Sequence, residues 1–262
     1  MYVKRTYRKR ATAPKRRRGR VVRKSSGARK SITQIVKSVI SRQAENKIWA
    51  DYGFNQSIIT ASSSVFTNKN LLPVLNQGAT ANARIGNEIK VKSGYIRGHV
   101  NLLPYNVSTN NSALPLYVKM WIISARQINT TALAGTNISS TFFEIGGGSA
   151  GPQGNMLDMN FSPNKDAWVI HATKIVKIGA GYVASANNPV QSVSYFDNSP
   201  MSVPFYFNFG KKLKTLKYDE AVTSPTNKSM WIVFQAVPAD GSSTTQTMAE
   251  FHYTTRVEYE DM

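Results

Sequence analysis

The sequence predicts an all-β fold, a sandwich of eight antiparallel strands, and three observations support that prediction. Beyond about residue 46, short apolar runs are separated by Gly, Asn, Ser, Thr and Pro, which is typical of strands joined by turns. No helical periodicity appears between successive runs, which disfavours a parallel sheet with crossover helices. The last run, 248–259, alternates apolar with polar residues, as expected for a strand with one solvated face. A jelly-roll arrangement fits this pattern best.

Residues 1–30 are predicted to form a basic arm. The first 42 residues contain 16 of the 33 Lys and Arg side chains and no acid, while 17 basic residues face all 14 acids in the rest of the chain. A block of like charge repels itself, so we expect the arm to be disordered until it meets a polyanion. Arg outnumbers Lys in this stretch, which favours bidentate phosphate contacts. A nuclear-localisation signal or a solubilising tail has a similar composition, and these roles are compatible with nucleic-acid binding.

The side chains that we expect to bind nucleic acid are all cationic and lie before residue 43. They are Lys4, Arg5, Arg8, Lys9, Arg10, Lys15, Arg16, Arg17, Arg18, Arg20, Arg23, Lys24, Arg29, Lys30, Lys37 and Arg42.

Residues 31–43 are predicted to form a short amphipathic helix. Ser31 and Gln34 have the spacing of a capping box, and apolar residues at 32, 35, 36, 39 and 40 form one helical face. Lys37 and Arg42 lie off that face. Two interpretations stay open: the helix packs on its own domain, or it packs against copies of itself while its cations contact nucleic acid.

The jelly-roll domain is predicted over residues 44–262. Its strands are expected at 48–59, 89–103, 116–124, 168–178, 191–195, 204–209 (continuing towards 218), 230–237 and 248–259. In the run 89–103 the apolar positions change phase across Gly94, Tyr95 and Ile96, which predicts a β-bulge or a barrel-corner bend there. The run 116–124 is apolar on both faces, so we expect it to be covered on both sides.

The stretch 126–165 has no strand pattern and is rich in glycine. A loop of this length usually has a function or lies on an interface. Further along, four lysines follow Phe209 within seven residues: Lys211, Lys212, Lys214 and Lys217. They either extend the electropositive surface of the arm or form an ordinary solvated strand end.

Several classes of function are disfavoured by composition. The chain has no Cys, which excludes disulfides, Cys-ligated zinc and a Cys nucleophile. No apolar run is long enough to span a membrane, and the beginning of the sequence lacks the apolar segment of a secretory signal.

No catalytic or metal-binding constellation is recognisable in the sequence. The three histidines, His99, His171 and His252, lie within predicted strands, without partners at metal-ligand spacing. The acids at 258, 260 and 261 are interpreted as solvated turn residues, or alternatively as ligands of a hard cation between subunits. We therefore expect no enzyme activity, no cofactor and no metal.

Five segments resemble viral coat proteins. Residues 31–40 (SITQIVKSVI) and 45–50 (ENKIWA) resemble the helix-into-first-strand segment of the satellite tobacco necrosis virus coat protein. Residues 84–93 (RIGNEIKVKS), followed by Arg97 and Gly98, resemble a strand with an R-x-G-x-x-(I/V) pattern. That strand is shared by the satellite tobacco necrosis virus coat protein and many capsid proteins of circular, Rep-encoding single-stranded DNA (CRESS-DNA) viruses. Residues 120–126 (MWIISAR) fit the strand that follows it in both groups. The Tyr- and Arg-rich start, 2–10, is more similar to the circovirus-type arms, whereas the 126–165 insertion departs from the small satellite pattern.

This resemblance implies a jelly-roll coat protein that forms a closed T=1 icosahedral shell of about 60 copies. It implies single-stranded nucleic acid as a partner, with circular DNA favoured, and location in the virion and the host nucleus. Nuclear import receptors are a further implied partner. A satellite-type coat protein that packages RNA, a non-capsid basic nucleic-acid-binding protein and a cupin-like enzyme stay open as alternatives.

Overall fold

Eleven strands are present in the part of the chain that the computed structural model describes. The described residues are 46–60, 66–78, 80, 83–103, 115–129, 133–135, 138–179, 200–239, 241 and 246–261. The strands are β1 (Asn46–Thr60), β2 (Thr67–Asn70), β3 (Glu88–Leu102), β4 (Leu116–Ala125), β5 (Phe143–Ile145), β6 (Gly148–Ala150), β7 (Trp168–Ile178), β8 (Ser202–Asn208), β9 (Thr215–Lys217), β10 (Trp231–Pro238) and β11 (Gln246–Asp261). The helices are α1 (Ile138–Thr141), α2 (Gly210–Leu213) and one 3₁₀ turn (Met156–Met159).

The eight main strands form two antiparallel sheets with the strand order of a jelly roll. The first sheet has the order β1-β11-β3-β8, with β9 paired to β3, and the second has the order β2-β10-β4-β7. The chain changes sheet at every connection between these eight strands except the one from β4 to β7. Each main pairing is antiparallel. The predicted all-β jelly-roll sandwich is therefore confirmed.

The main hydrophobic core lies between the two sheets. Phe234 of β10 stacks on Phe251 of β11, with ring centroids 4.2 Å apart, and also contacts Phe205 of β8 edge-on at 5.7 Å. All three rings are almost completely buried. These contacts join the two sheets through their inward-facing residues.

A second hydrophobic cluster covers the outer face of the second sheet. It joins Trp121 of β4, Trp168 of β7 and Trp231 of β10 to Phe142 and Phe143 of the 126–167 insertion. Strand β4 is thus buried on both sides, as predicted. The insertion, for which the sequence predicts only a loop, contains α1, the β5–β6 hairpin and the 3₁₀ turn. Gly146 and Gly147 form the hairpin turn with φ values of +62° and +81°, which glycine adopts without strain.

A buried carboxylate anchors the insertion to the second sheet. Asp158 is completely buried, and its Oδ2 accepts hydrogen bonds from the backbone N–H groups of Gln153 (2.8 Å) and Gly154 (2.7 Å). The same oxygen accepts from Nε2 of Gln235 on β10 at 2.6 Å. Burial raises the pKa of Asp158, and these hydrogen bonds only partly oppose that shift. Lys119 of β4 donates to the carbonyl of the last residue of the 3₁₀ turn at 2.6 Å.

The structure corrects two local predictions in the first sheet. The phase change in β3 comes from a bulge at Lys92, where Ser93 pairs with Glu258 but Val91 pairs with Tyr259. The bulge lies before the predicted position at residues 94–96. The alternation of side chains is therefore regular from Ser93 onwards, and Tyr95 faces outward.

The run expected to extend from 204 towards 218 breaks after β8. There Gly210 approaches β3 so closely that a Cβ at this position would lie 2.1 Å from the backbone nitrogen of Gly94. The chain turns into α2 at this contact. The predicted helix 31–43 and the predicted strand 191–195 lie outside the described residues.

Candidate nucleic-acid interface

The sixteen cations that we expect to bind nucleic acid, from Lys4 to Arg42, lie outside the described residues. The described chain begins with β1 at Asn46, which lies at the end of the sandwich where β3, β7 and β10 also begin and where β8 and β11 end. Chain connectivity therefore joins the arm to the domain at this end. The charged side chains at this end are the part of the predicted interface that can be examined geometrically.

Four exposed lysines lie between β8 and the end of β9. Lys211 and Lys212 lie on α2, Lys214 follows that helix, and Lys217 ends β9 opposite Glu88 at the beginning of β3. Lys217 Nζ lies 3.9 Å from a Glu88 oxygen, a weak exposed pair that leaves most of the positive charge uncompensated. Three of these lysines thus lie on or directly after a short helix, and only the fourth, Lys217, belongs to a strand.

A fifth lysine, which the sequence analysis did not select, belongs to the same cluster. Lys228 lies between β9 and β10, and its Nζ donates to the carbonyls of Lys212, at 3.2 Å, and of Leu213. Partial burial and the nearby charge of Lys214 lower the pKa of Lys228. Lys228 is more than ten residues away from the other lysines in the sequence. No local sequence pattern therefore predicts that it joins the cluster.

The positive potential of the lysine cluster extends to a histidine of the second sheet. His171 on β7 has a lowered pKa because it is partly buried and because the charges of Lys212 and Lys228 oppose its protonation. Its Nε2 lies 2.8 Å from Ser124 Oγ on the neighbouring strand β4. A Ser–His contact is one element of hydrolase sites, but within the described residues no carboxylate is hydrogen-bonded to this imidazole.

The arginine of the R-x-G pattern has a structural role. Arg84 is completely buried and donates to the carbonyl of Gly86 (2.8 Å), Oδ1 of Asn87 (2.8 Å) and the carbonyls of Asp219 (3.0 Å) and Val222 (3.1 Å). Its guanidinium lies 4.8 Å from the ring centroid of Tyr218. The Arg84 side chain thus links the turn before β3 to the segment after β9 through hydrogen bonds. Because it is buried, it is not available to bind nucleic acid.

The acids near the end of the sequence are paired with basic side chains of neighbouring strands. Asp261 forms a buried ion pair with Lys47 at 3.1 Å, and Glu260 contacts Lys92 at 2.5 Å and Lys90 at 3.3 Å. These contacts lower the pKa of Glu260, with the Lys92 hydrogen bond as the largest cause. The interpretation of these two acids as solvated turn residues is wrong, because both belong to β11 and their side chains are almost completely buried.

The three histidines lie on three different strands. His99, His171 and His252 lie on β3, β7 and β11. Within the described residues, no group of three or more His, Asp or Glu side chains has the arrangement of a metal site. None of the helices described is long and apolar enough to cross a membrane.

Comparisons with known proteins give structural similarities but no sequence match. No protein-family model and no curated protein sequence matches the chain. A chain in a solved structure of desmodium yellow mottle tymovirus is similar over 83% of this chain and 87% of that chain, with 10% sequence identity and a TM-score of 0.32. We draw nothing about function from a similarity of this size, and the jelly-roll assignment rests on the strand order.

The described cations can bind a polyanion but do not form a pocket for one phosphate. The lysines at 211, 212, 214 and 217 are exposed, and they lie at the end of the sandwich to which the arm is joined. Exposed lysines of this kind attract a phosphate backbone through charge and do not read its sequence. This end of the domain is the candidate nucleic-acid interface.

Proposed function

We propose that the chain is the coat protein of a small icosahedral virus, which self-assembles into a T=1 shell of about 60 copies. The observation that supports this most is the combination of two features in one chain. A jelly-roll domain follows a 42-residue segment that contains 16 cations and no acids, and exposed lysines lie at the end of the domain where this segment is attached. The fold alone would not decide, because jelly rolls also occur in lectins and cupins.

The arm provides the packaging function in this proposal. Its cations neutralise the phosphates of the genome without sequence preference, and release of counterions drives the binding. The resemblance of residues 2–10 to circovirus-type arms favours circular single-stranded DNA as the genome. In this proposal the dense cluster at 15–24 acts as a nuclear-localisation signal that import receptors recognise, so the protein enters the host nucleus before assembly and is part of the virion afterwards.

Imaging of the purified full-length protein tests the assembly function. We expect closed, uniform particles in negative-stain images and a correspondingly large sedimentation coefficient at moderate salt. A protein that stays a monodisperse monomer at high concentration, with its arm intact, refutes the coat-protein proposal. It would favour a monomeric nucleic-acid-binding protein instead.

Extraction of the cargo tests the genome assignment separately. Nucleic acid from particles of an infected host should resist RNase and be digested by DNase. RNase-sensitive cargo would overturn the DNA assignment and leave the coat-protein proposal in place. A fluorescent reporter fused to residues 1–30 should accumulate in nuclei, whereas the same fusion with Gln in place of Arg16, Arg17, Arg18 and Arg20 should not.

A further inference from the structure

The outer face of the first sheet has large aromatic side chains in solvent. Tyr52 and Phe54 on β1 are 68% and 69% exposed, and Tyr206 on β8 is 56% exposed. The second sheet differs, because its outer face is covered by the insertion. Exposed rings concentrated on one face of a domain are typical of a binding surface.

The strand register places these rings on either side of an arginine. Tyr52 pairs with Thr254, Thr254 pairs with Arg97, and Arg97 pairs with Tyr206, so the four residues form one row across the sheet. Neighbouring strands are about 4.8 Å apart, so the two tyrosines of the row are separated by roughly 14 Å at the backbone. Arg97 and Thr254 form the floor between them.

The rings are arranged in two pairs. Tyr206 lies beside Tyr95 with centroids 5.8 Å apart and an interplanar angle of 30°, and the Arg97 guanidinium lies 5.8 Å from the Tyr95 ring centroid. On the other side, Tyr52 and Phe54 meet edge-to-face at 5.6 Å. We call these four rings and Arg97 the aromatic face.

A depression of 480 Å³ opens between Phe54 and Tyr206, with Arg97, His99 and His252 among its lining residues. Its volume lies within the range of clefts that bind small molecules. The depression has an apolar wall at both sides and a cation in the floor. This combination suits a ligand that has both a flat ring and a negative charge.

The charges on this face leave Arg97 as the group available to an anion. Glu258 is paired with Arg256 at 2.9 Å, and Glu250 lies 3.1 Å from the His252 imidazole. Arg97 has no ion pair among the described residues and is exposed. In a two-fold contact between copies, this face would meet itself and bring one Arg97 towards the other, so charge favours a polyanion over a second copy.

We propose that the aromatic face binds unpaired bases of single-stranded nucleic acid, with Tyr52 and Tyr206 stacking on bases and Arg97 contacting the backbone between them. Every base has a π face, so such binding tolerates any sequence, as packaging requires. The inference rests on the proposed function in one respect, that single-stranded nucleic acid is the ligand. It adds a contact to bases, which the arm's phosphate contacts do not provide.

Two oligonucleotides with equal numbers of phosphates separate base stacking from charge. One is an ordinary single strand and the other is an abasic strand of the same length, and both are titrated against full-length protein at about 1 M salt, where the Debye length is about 3 Å. The wild-type protein should prefer the ordinary strand, by roughly 5- to 150-fold for each stacked base. A double variant with Tyr52→Leu and Tyr206→Leu should lose at least about tenfold on the ordinary strand and nothing on the abasic strand.

Two controls keep the interpretation specific. Tyr206→Phe retains the ring and should bind like the wild type, and Tyr117→Leu changes a tyrosine of the second sheet and should also have no effect. Unchanged binding of the ordinary strand by the double leucine variant overturns the proposal. So does a variant that keeps the base preference but no longer forms particles, because the face would then be a contact between copies.

The outcomes also distinguish this inference from the proposed function. Particles that form although the wild-type protein binds both strands equally would refute the base-binding face and leave the coat-protein proposal intact. A base preference that disappears in the double variant, in a protein that never forms particles, would do the opposite.

Discussion

Replacement of Arg84 tests whether the R-x-G pattern stabilises the fold. Its guanidinium donates four hydrogen bonds, and the acceptors belong to two segments more than 130 residues apart in the sequence. Hydrogen bonds to charged groups contribute about 1.5–3 kcal/mol each, but burial of the cation costs several kcal/mol. Removal of the side chain leaves the acceptors without partners and a cavity beside Tyr218.

The expected magnitude follows from which acceptors water can reach. Asn87, Asp219 and Val222 are exposed residues, so water can satisfy part of what Arg84→Ala leaves unpaired. With about two acceptors uncompensated at about 1–3 kcal/mol each, plus lost packing, we expect Arg84→Ala to lower the free energy of unfolding by about 3–5 kcal/mol. Arg84→Lys should lose about 2 kcal/mol or more, because a compact ammonium cannot span the four oxygens that the planar fork reaches.

The assay is equilibrium urea unfolding followed by far-UV circular dichroism at fixed protein concentration. Arg97→Ala is the matched control, because it removes an exposed arginine of β3, the strand that follows Arg84, and should change stability by no more than about 0.5 kcal/mol. Hydrogen exchange should also show lost protection in the segment 218–222 of the Arg84 variants. If Arg84→Ala is within about 1 kcal/mol of the wild type, this buried arginine does not hold the two segments together and the reasoning fails.

The other predictions concern Asp158, the lysine cluster and the arm. Asp158→Ala should destabilise the protein by about 2–4 kcal/mol in the same urea assay, because two buried N–H groups and a partly buried one lose their acceptor. Asp158→Asn should be neutral or stabilising at pH 7. Burial holds the folded-state pKa of Asp158 above its unfolded value, so the wild-type protein loses stability as pH rises through that pKa, whereas the amide does not titrate. A growing deficit of the asparagine variant with rising pH would contradict this sign. Replacement of Lys211, Lys212 and Lys214 by Gln should weaken the salt dependence of binding to single-stranded DNA. Each neutralised phosphate contributes about 0.7 to the slope of log affinity against log salt concentration, so the loss of three lysines should make the slope shallower by about 2. Lys165→Gln is the control that should leave the slope unchanged. Deletion of 1–30 should abolish packaging and leave the far-UV spectrum of the β domain intact. With half of the 16 cations in the first 42 residues engaged, the full-length protein should show a slope of about −5 or steeper.

Local sequence patterns predicted the longer strands, because these contain enough residues to show the two-residue alternation of apolar and polar side chains. The runs that became β1, β3, β4, β7, β10 and β11 were all located within a few residues, because each alternates or is apolar throughout. The short strands β2, β5, β6 and β9 have three or four residues, which is too few for a period. They owe their conformation to tertiary contacts, such as those of Phe143 with its aromatic neighbours.

The candidate interface was predictable only where its residues are close in sequence. Four lysines within seven residues are visible by inspection, but Lys228 joins them only through the fold. The row from Tyr52 to Tyr206 requires the register of four strands, which no single segment contains. Arg84 resembles any surface arginine in the sequence, and only the closure of two loops around it makes it a buried group.

The layer that the insertion adds to the second sheet also gives the protein a natural optical probe. Trp121, Trp168 and Trp231 all belong to the cluster beneath the insertion, and the fourth tryptophan, Trp49, lies on β1 of the other sheet. Selective excitation of tryptophan therefore reports mainly on one side of the molecule. Release of the insertion would expose three indoles to water and shift their emission to longer wavelength while the sandwich stayed closed. The detachment of this layer can thus be followed in real time without an added label.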